Sequence, residues 1–467
     1  MAHMEHLVQM EHFAPEPENV DPAVRNDRRF IRILFLAALL LRFAFSFDGL
    51  FNDESMTRFQ RPDTESYLAP AHSMVASGDY RGVEGTLTAH RTPGLPLFFA
   101  AASVFGEELF FSVLLILLGC VAVFPIYGMC RKFAPPLPSF LAAGLFVLNP
   151  TAIGNAPLLL SDTLFLVFTA FMLRFMVEFL FEEKHDPAML IFAAVFAGLG
   201  TLIRPLNLLW FVPCCVMIFF VRDGRSARQK VILSLIACGV FFAFILPWVI
   251  RNHAIGAGWR LDTSSAVTMT FNAATLESSI TGKNIDDLRE GYMRELASEI
   301  DPEHDSQESR LTRCEKKMTA IILKHPIRYA ALSLRPWVLL PDVPTLLENL
   351  NVTQGGQGTF DVLNHEGIFA AAAHYFKGRE LALILMIPLI LITFVLYGAV
   401  LAGLWRVIRR KDYLLLFLLI GFGFYYLWIT GPVTMPRYVL PALPVFCIFA
   451  AIAFTKKDAL LPSQPEK

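Results

Sequence analysis

Long apolar runs separated by short charged clusters dominate this chain. Runs at 31–47, 109–130, 139–158, 162–181, 188–203, 206–221, 231–250, 381–405, 413–430 and 438–454 approach the ~20 residues that a bilayer-spanning helix needs. We read them as ten spans of an all-α polytopic membrane protein. Basic residues remain on the cytoplasmic side of a membrane. Arg131 and Lys132, the group from Arg222 to Lys230, the group from Arg406 to Lys411, and Lys456 with Lys457 therefore fix the direction of the spans. Arg25, Arg28, Arg29 and Arg32 precede the first run and keep its start inside. Both termini are then cytoplasmic, residues 1–28 are expected to be disordered, and Met1 to Met4 read as a cloning remnant.

Residues 48–108 follow as the first external loop. Within it, 93–105 is apolar but too short to span, so a helix lying at or dipping into the membrane interface is expected there. Counting it as a span would invert every later loop and place the basic clusters outside. Pro150 and Pro157 are expected to bend the third span. Residues 251–380 form one long external segment between the seventh and eighth spans. It carries amphipathic helical patterns near 283–299 and 308–330, an apolar stretch at 331–340 expected to rest on the membrane, and a Gly-rich loop at Gly355, Gly356 and Gly358. Asn351-Val352-Thr353 matches a glycosylation triplet, to which we assign no role. The expected division is a catalytic membrane module at 29–250, the external segment at 251–380, and C-terminal helices with a short tail at 381–467.

Composition supports the membrane reading. The chain is 55% hydrophobic and 17% charged, against about 25% charged for a soluble protein. A net charge of -1 leaves no basic footprint for nucleic acid. The seven cysteines show neither a disulfide framework nor zinc spacing. No metal site is expected, although scattered acids leave a recruited divalent cation open.

The candidate chemistry falls on one face. By the parity of the spans, Asp63, Glu65, Tyr67, Arg91, Asp162, Arg204, Arg251 and Arg437 all lie externally, from separate parts of the chain. Acids and arginines converging at one end of a bundle suggest a polar cavity. Asp63 begins a helical pattern that ends near Gly78, and Tyr67 is four residues on, sharing its face. Asp63 reads either as a helix N-cap or as a general base that takes a proton from an acceptor hydroxyl. Asp53 and Glu54 are rivals without a helical pattern behind them. Glu65 projects about 200° away from Asp63, towards solvent. Asp162 opens the fourth span and reads equally as a cap, in competition with Ser161, or as a site acid. Arg91, Arg204 and Arg437 lie beside Pro-bent turns. Each reads as snorkelling to water or as pairing with a phosphate. His90 reads as a solvated loop residue or as a helper at that site. Arg42 lies within snorkelling reach of the outer face, and Arg174 with Glu178 reads as a local ion pair.

The stretches DTESYLAPAHSMVASGDY, RTPGLPLFFA, SDTLFLVF, GLGTLIRPLNLLWFVP and PRYVLPALP together resemble the large membrane glycosyltransferases of the GT-C fold. The likeness is greatest to the protein O-mannosyltransferases and the bacterial aminoarabinose lipid A transferases. It covers residues 29–250 well and the last spans weakly. The resemblance implies a catalytic Asp in the first external loop with a Tyr four residues later. These fall on Asp63 and Tyr67, and the following Ala-Ser-Gly-Asp-aromatic turn falls on Ala76–Tyr80. A second acid falls on Asp162, and a basic residue before Pro falls on Arg204. The lipid A transferases carry a basic residue directly before the Pro matching Pro93. This chain has Thr92 there, with Arg91 one place earlier, which leaves the role of Arg91 open.

The family implies a polyprenyl-phosphate-linked sugar donor and inversion at the sugar carbon. The acceptor would be an envelope lipid, a glycan or a protein at the periplasmic face of a bacterial inner membrane. Two other readings compete. A transporter or lipid flippase would favour internal repeats and mid-membrane charges, and an O-antigen polymerase or ligase would move chains rather than single sugars.

Overall fold

The computed structural model describes residues 22–53, 55–299, 305–334, 336–352, 358–378, 380–433 and 435–456. Among these the chain is helical, and its only β pairing is an isolated bridge between Arg81 and Leu87. Six helices are long and apolar enough to cross a membrane: Arg25–Phe51, Glu108–Phe133, Ser161–Phe181, Ala227–Ala254, Glu380–Arg409 and Pro436–Phe454. Four shorter apolar helices, Pro136–Val147, Pro187–Ile203, Pro205–Phe220 and Tyr413–Trp428, fall on the other four expected spans. The Ser161–Phe181 and Pro436–Phe454 helices are the most enclosed, and the remaining helices pack around them. Close backbone approach contributes: a Cβ on Gly403 would collide with the Phe449 carbonyl of the last span.

Several local expectations change. The first helix begins at Pro22, so residues 22–28 are its opening turns rather than part of a disordered tail. Asp27 there accepts from Arg131 Nε at 2.7 Å and from the Tyr127 hydroxyl at 2.5 Å, which ties the turn to the second span. Residues 1–21 lie outside the described set, as do Glu54, Arg335, Thr353, Gly355, Gly356 and Lys457.

The third span is broken rather than bent. Its helix ends at Val147, and Asn149 starts a separate short helix at Pro150–Gly154 by accepting from the Ala152 amide at 3.1 Å. An Asn immediately before Pro is a helix start signal, so the chain restarts there instead of kinking.

Arg42 does not snorkel. Its side chain is fully buried, with one bond of 3.4 Å to the Ala38 carbonyl and the Phe146 ring 5.5 Å away. The reason lies in the neighbouring helix. Gly119 leaves room for the guanidinium, whose Nε would lie 3.4 Å from a Cβ at that position. Arg174 and Glu178 form the expected local pair.

The loop at 48–108 holds two short helices, Glu65–Ser77 and Gly94–Ala102. The second packs into the bundle with Leu95 and Phe99 fully buried. Thr92 Oγ1 donates to the Ile203 carbonyl at 3.1 Å, and a Cβ on Gly94 would lie 2.6 Å from the Leu202 carbonyl oxygen. The RTPG turn is therefore seated on the end of the Pro187–Ile203 helix. The segment at 251–380 carries helices Ser264–Thr281, Ile285–Ser298, Gln307–Lys324, Pro326–Leu332 and Val343–Asn349, the second and third near the expected amphipathic patterns.

Candidate active site

Five residues from five places in the chain form one alternating line of charge. Arg91 Nη2 lies 2.7 Å from Asp63 Oδ1. Arg437 lies between the two acids, with Nη2 3.9 Å from Asp63 Oδ2 and Nε 3.8 Å from Asp162 Oδ2. Arg204 closes the line in direct contact with Asp162 Oδ1. Three guanidiniums thus share two carboxylates.

Local sequence explains how each side chain arrives there. Asp63 follows Pro62 in a turn closed by the Thr64 amide on the Arg61 carbonyl, at 2.8 Å. The helix behind it runs Glu65–Ser77 with Thr64 as its N-cap residue, and no side chain caps it. Asp63 is therefore not a cap, and its carboxylate is turned to the arginines. Asp162 is in the first turn of Ser161–Phe181, whose N-cap is Leu160, so neither Asp162 nor Ser161 caps that helix. Pro205 cannot continue the Pro187–Ile203 helix. Arg204 is its extended C-cap, and this points the side chain back across to Asp162. Pro436 opens a 3-10 turn that carries Arg437 and Tyr438.

Aromatic rings support the cations. The Tyr67 ring lies 4.8 Å below the Arg91 guanidinium, and the Tyr438 ring lies 5.5 Å from Arg204 and 5.9 Å from Arg437. Tyr67 is buried, and its hydroxyl is 3.4 Å from Ser161 Oγ. Asp63, from the turn ahead of the helix, and Tyr67, from its first turn, thus both meet Arg91.

The other candidates lie outside this line. Glu65 is exposed and belongs to none of these pairs. Asp53 is engaged locally, accepting from the Arg58 amide at 2.8 Å and from the Thr57 hydroxyl at 3.1 Å. Arg251 secures the loop instead, donating to the Thr88 carbonyl at 2.5 Å and the Tyr80 carbonyl at 3.2 Å. His90 is half-buried beside Arg91. Burial first, and then the neighbouring Arg91 charge, lower its pKa below the ordinary histidine value, against Asp262 and Asp63. Among the described residues, no group of three His, Cys, Asp or Glu side chains could hold a metal ion.

Sequence reasoning missed Arg61. It donates to Glu348 Oε2 at 3.1 Å and to the carbonyls of Arg58 and Gln60 at 2.8 and 2.7 Å. Burial lowers its pKa, as does the positive charge of Arg437 nearby, while Glu348 and Asp342 oppose the shift. Its signal was legible: Arg61-Pro62 repeats the Arg-Pro pattern of Arg204-Pro205.

Comparison with known proteins agrees with this architecture. Residues 91–250 match the family described as dolichyl-phosphate-mannose-protein mannosyltransferase. No curated protein matches the sequence. Among solved structures, the chain is similar to the archaeal oligosaccharyltransferase AglB from Archaeoglobus fulgidus in complex with an inhibitory peptide and a dolichol-phosphate. That match has a TM-score of 0.52 at 15% identity and covers 91% of this chain and 50% of that one. The Archaeoglobus fulgidus oligosaccharyltransferase tethered with an acceptor peptide gives 0.52 at 15% identity, covering 91% and 49%. ArnT from Cupriavidus metallidurans bound to undecaprenyl phosphate gives 0.47 at 15% identity, covering 90% and 59%. The chain spans about half the length of the oligosaccharyltransferase it matches. Helical architecture and structural likeness together identify the chain as an integral membrane protein with the GT-C fold.

Proposed function

We propose that this protein is an inverting glycosyltransferase that moves a sugar from a polyprenyl-phosphate carrier to an acceptor hydroxyl. The observation that carries the reading is the line Arg91–Asp63–Arg437–Asp162–Arg204. It offers a carboxylate base and an excess of guanidinium charge at one end of a membrane bundle. Asp63 accepts the proton of the acceptor hydroxyl as its oxygen forms the new bond to the anomeric carbon. The bond from that carbon to the phosphate oxygen breaks on the opposite face, and its electron pair leaves with the polyprenyl phosphate. Arg204 and Arg437 stabilise that developing charge, and a phosphate leaving group needs no general acid. Asp162 holds both arginines between turnovers, and Tyr67 and Arg91 orient Asp63. Glu65 and His90, at the rim of the loop, are the candidates for contacts to the sugar or acceptor.

The matching family is described by a dolichyl-phosphate-mannose donor, and the oligosaccharyltransferase was solved with a dolichol-phosphate. Both support a lipid phosphate at this site. By the parity of basic residues the site opens to the periplasmic side of a bacterial inner membrane, with 29–250 as the catalytic module. The acceptor is an envelope lipid, a glycan or a protein.

The deciding experiment is mass spectrometry of envelope lipids, glycans and proteins from cells with and without the chain, alongside the Asp63→Asn variant. One sugar should be missing from one acceptor class in both deficient strains, with turnover in vitro lowered at least ~100-fold by Asp63→Asn. A well-folded Asp63→Asn protein that transfers normally would remove Asp63 from the mechanism. Loss of a repeat unit or of a whole chain would point instead to a polymerase or ligase. Topology is tested separately: cysteine placed at Asp63 or Thr281 should label from outside with an impermeant thiol reagent, and cysteine at Arg225 should not.

A further inference from the structure

The external segment touches the loops that deliver the charged line. Thr263 donates its amide to the Ala89 carbonyl at 2.9 Å, two residues before Arg91. Glu348 receives Arg61, two residues before Asp63, at 3.1 Å. Asn349 Nδ2 donates to the Gly154 carbonyl at 2.8 Å, and Asp342 accepts from Asn155 Nδ2 at 2.9 Å, on the chain that leads into Asp162. The fourth contact is the most specific. Asn272, buried in the Ser264–Thr281 helix, accepts through Oδ1 from the Val433 amide at 3.3 Å, on the approach to Arg437.

Arg437 depends on that approach more than its neighbours depend on theirs. Arg91 and Arg204 each make a short contact to one acid. Arg437 reaches its two acids only at 3.8 and 3.9 Å, and its buried Nε has no hydrogen-bond partner. Ion pairs of that length do not fix a guanidinium, so the position of Arg437 is set by its backbone. The turn ahead of it uses Gly431 at φ 76. A Cβ there would lie 2.6 Å from Asn272 Nδ2 and 2.8 Å from the Tyr329 hydroxyl. Two helices of the external segment therefore close on this turn from outside.

We infer that Asn272 is a positioning residue for Arg437: the external segment sets where the leaving phosphate is met, through the Asn272–Val433 contact over Gly431. The inference rests on the phosphate role proposed for Arg437. Displacement of a catalytic group by about 1 Å can cost ~100-fold, and the effect of Asn272 must pass through Arg437 alone.

The test measures binding of polyprenyl phosphate in detergent micelles, together with kcat and KM of the full-length protein. Asn272→Ala should weaken polyprenyl phosphate binding and lower kcat by ~10-fold or more, with acceptor KM unchanged. Gly431→Ala, which crowds the same contact from the other side, should do the same. Asn272→Asp keeps an oxygen for the Val433 amide and should recover most of the binding. In an Arg437→Ala background, Asn272→Ala should add nothing. Full additivity there, or a change confined to acceptor KM, would overturn the inference and make the segment an acceptor surface. If Arg437→Ala itself leaves binding and turnover intact, the phosphate reading fails. If only Asn272→Ala does so, that reading stands and the positioning role is lost.

Discussion

The two ends of the bundle treat charge differently. At one end, four cations each keep an acid: Arg131 with Asp27 at 2.7 Å, Lys132 with Glu182 at 2.9 Å, Arg174 with Glu178, and Arg225 with Asp223 at 2.5 Å, while Arg406 donates to the Ile452 carbonyl instead. At the other, three arginines share two aspartates, and the middle arginine is committed to neither. Closed pairs neutralise charge and leave nothing over. The open line has one positive charge over and a buried Arg437 Nε without a hydrogen-bond partner. Holding a largely buried arginine with no acid of its own, as at Arg437, is costly. On the proposed function, this is the place where the lipid phosphate is met.

The severest way to break this contrast is to remove Asp162. Its side chain is only 6% exposed and is in contact with Arg204. Asp162→Asn keeps the shape but leaves Arg204 without a counter-ion. Stripping one partner from a buried pair costs about 3–5 kcal/mol. The variant should lose that much stability in a detergent unfolding series and lose most turnover with it. Unchanged stability would mean that the pair is solvated and that the line is not the closed unit described.

Arg437→Ala comes next. It leaves both aspartates with one arginine each, turning the open end into two closed pairs like those of the opposite end. Turnover should fall ~100-fold, the usual loss when one transition-state charge partner is removed, while stability changes little. Arg437→Lys should recover only part, because a point charge cannot span two carboxylates as a planar guanidinium does. Full recovery by Lys would reduce the role of Arg437 to net charge.

Much of the open end was legible from residues alone, and the reasons are local. Asp63 and Tyr67 are four residues apart, a spacing that predicts a shared face, and both do meet Arg91, although Asp63 lies in the turn ahead of the helix. An arginine before proline, as at Arg204, is held at a helix end whatever surrounds it. What the sequence could not give was the approach of one segment to another. Asn272 and Val433 are far apart in the chain, as are Arg61 and Glu348, and no periodicity links them. Arg42 shows the same limit from inside the bilayer. Its place along the helix suggested snorkelling, but the free side of Gly119 on another helix decided that it would be buried. The break after Val147 differs, because its Asn149-Pro150 start signal was present and was read only as a bend.

At the closed end, Arg131→Gln tests the other half of the contrast. The Arg131 and Asp27 side chains are 23% and 29% exposed, so the pair is only partly desolvated. Partly exposed pairs contribute about 0–1 kcal/mol. Stability should fall by no more than that, and turnover and polyprenyl phosphate binding should stay at wild-type values. A large loss of turnover would mean that the two ends are coupled and would dissolve the distinction.

The smallest effect is expected from His90, which reports whether the open end tolerates one more cation. Burial and Arg91 hold its pKa below the ordinary value of ~6.5. The folded protein therefore binds fewer protons at this position than the unfolded chain as pH falls through that value, and stability must fall with it. The contribution is fully present above the unfolded pKa and is lost towards the lowered folded one. Thermal midpoints measured from pH 8 to 5 should decline more steeply for the wild type than for His90→Gln, which carries no titratable group there. Protonated His90 would also add a cation beside Arg91 and draw on Asp63, so acid turnover should fall further in the wild type than in the variant. Parallel curves for both proteins would show that His90 is solvated after all, and that the open end is confined to its three arginines and two aspartates.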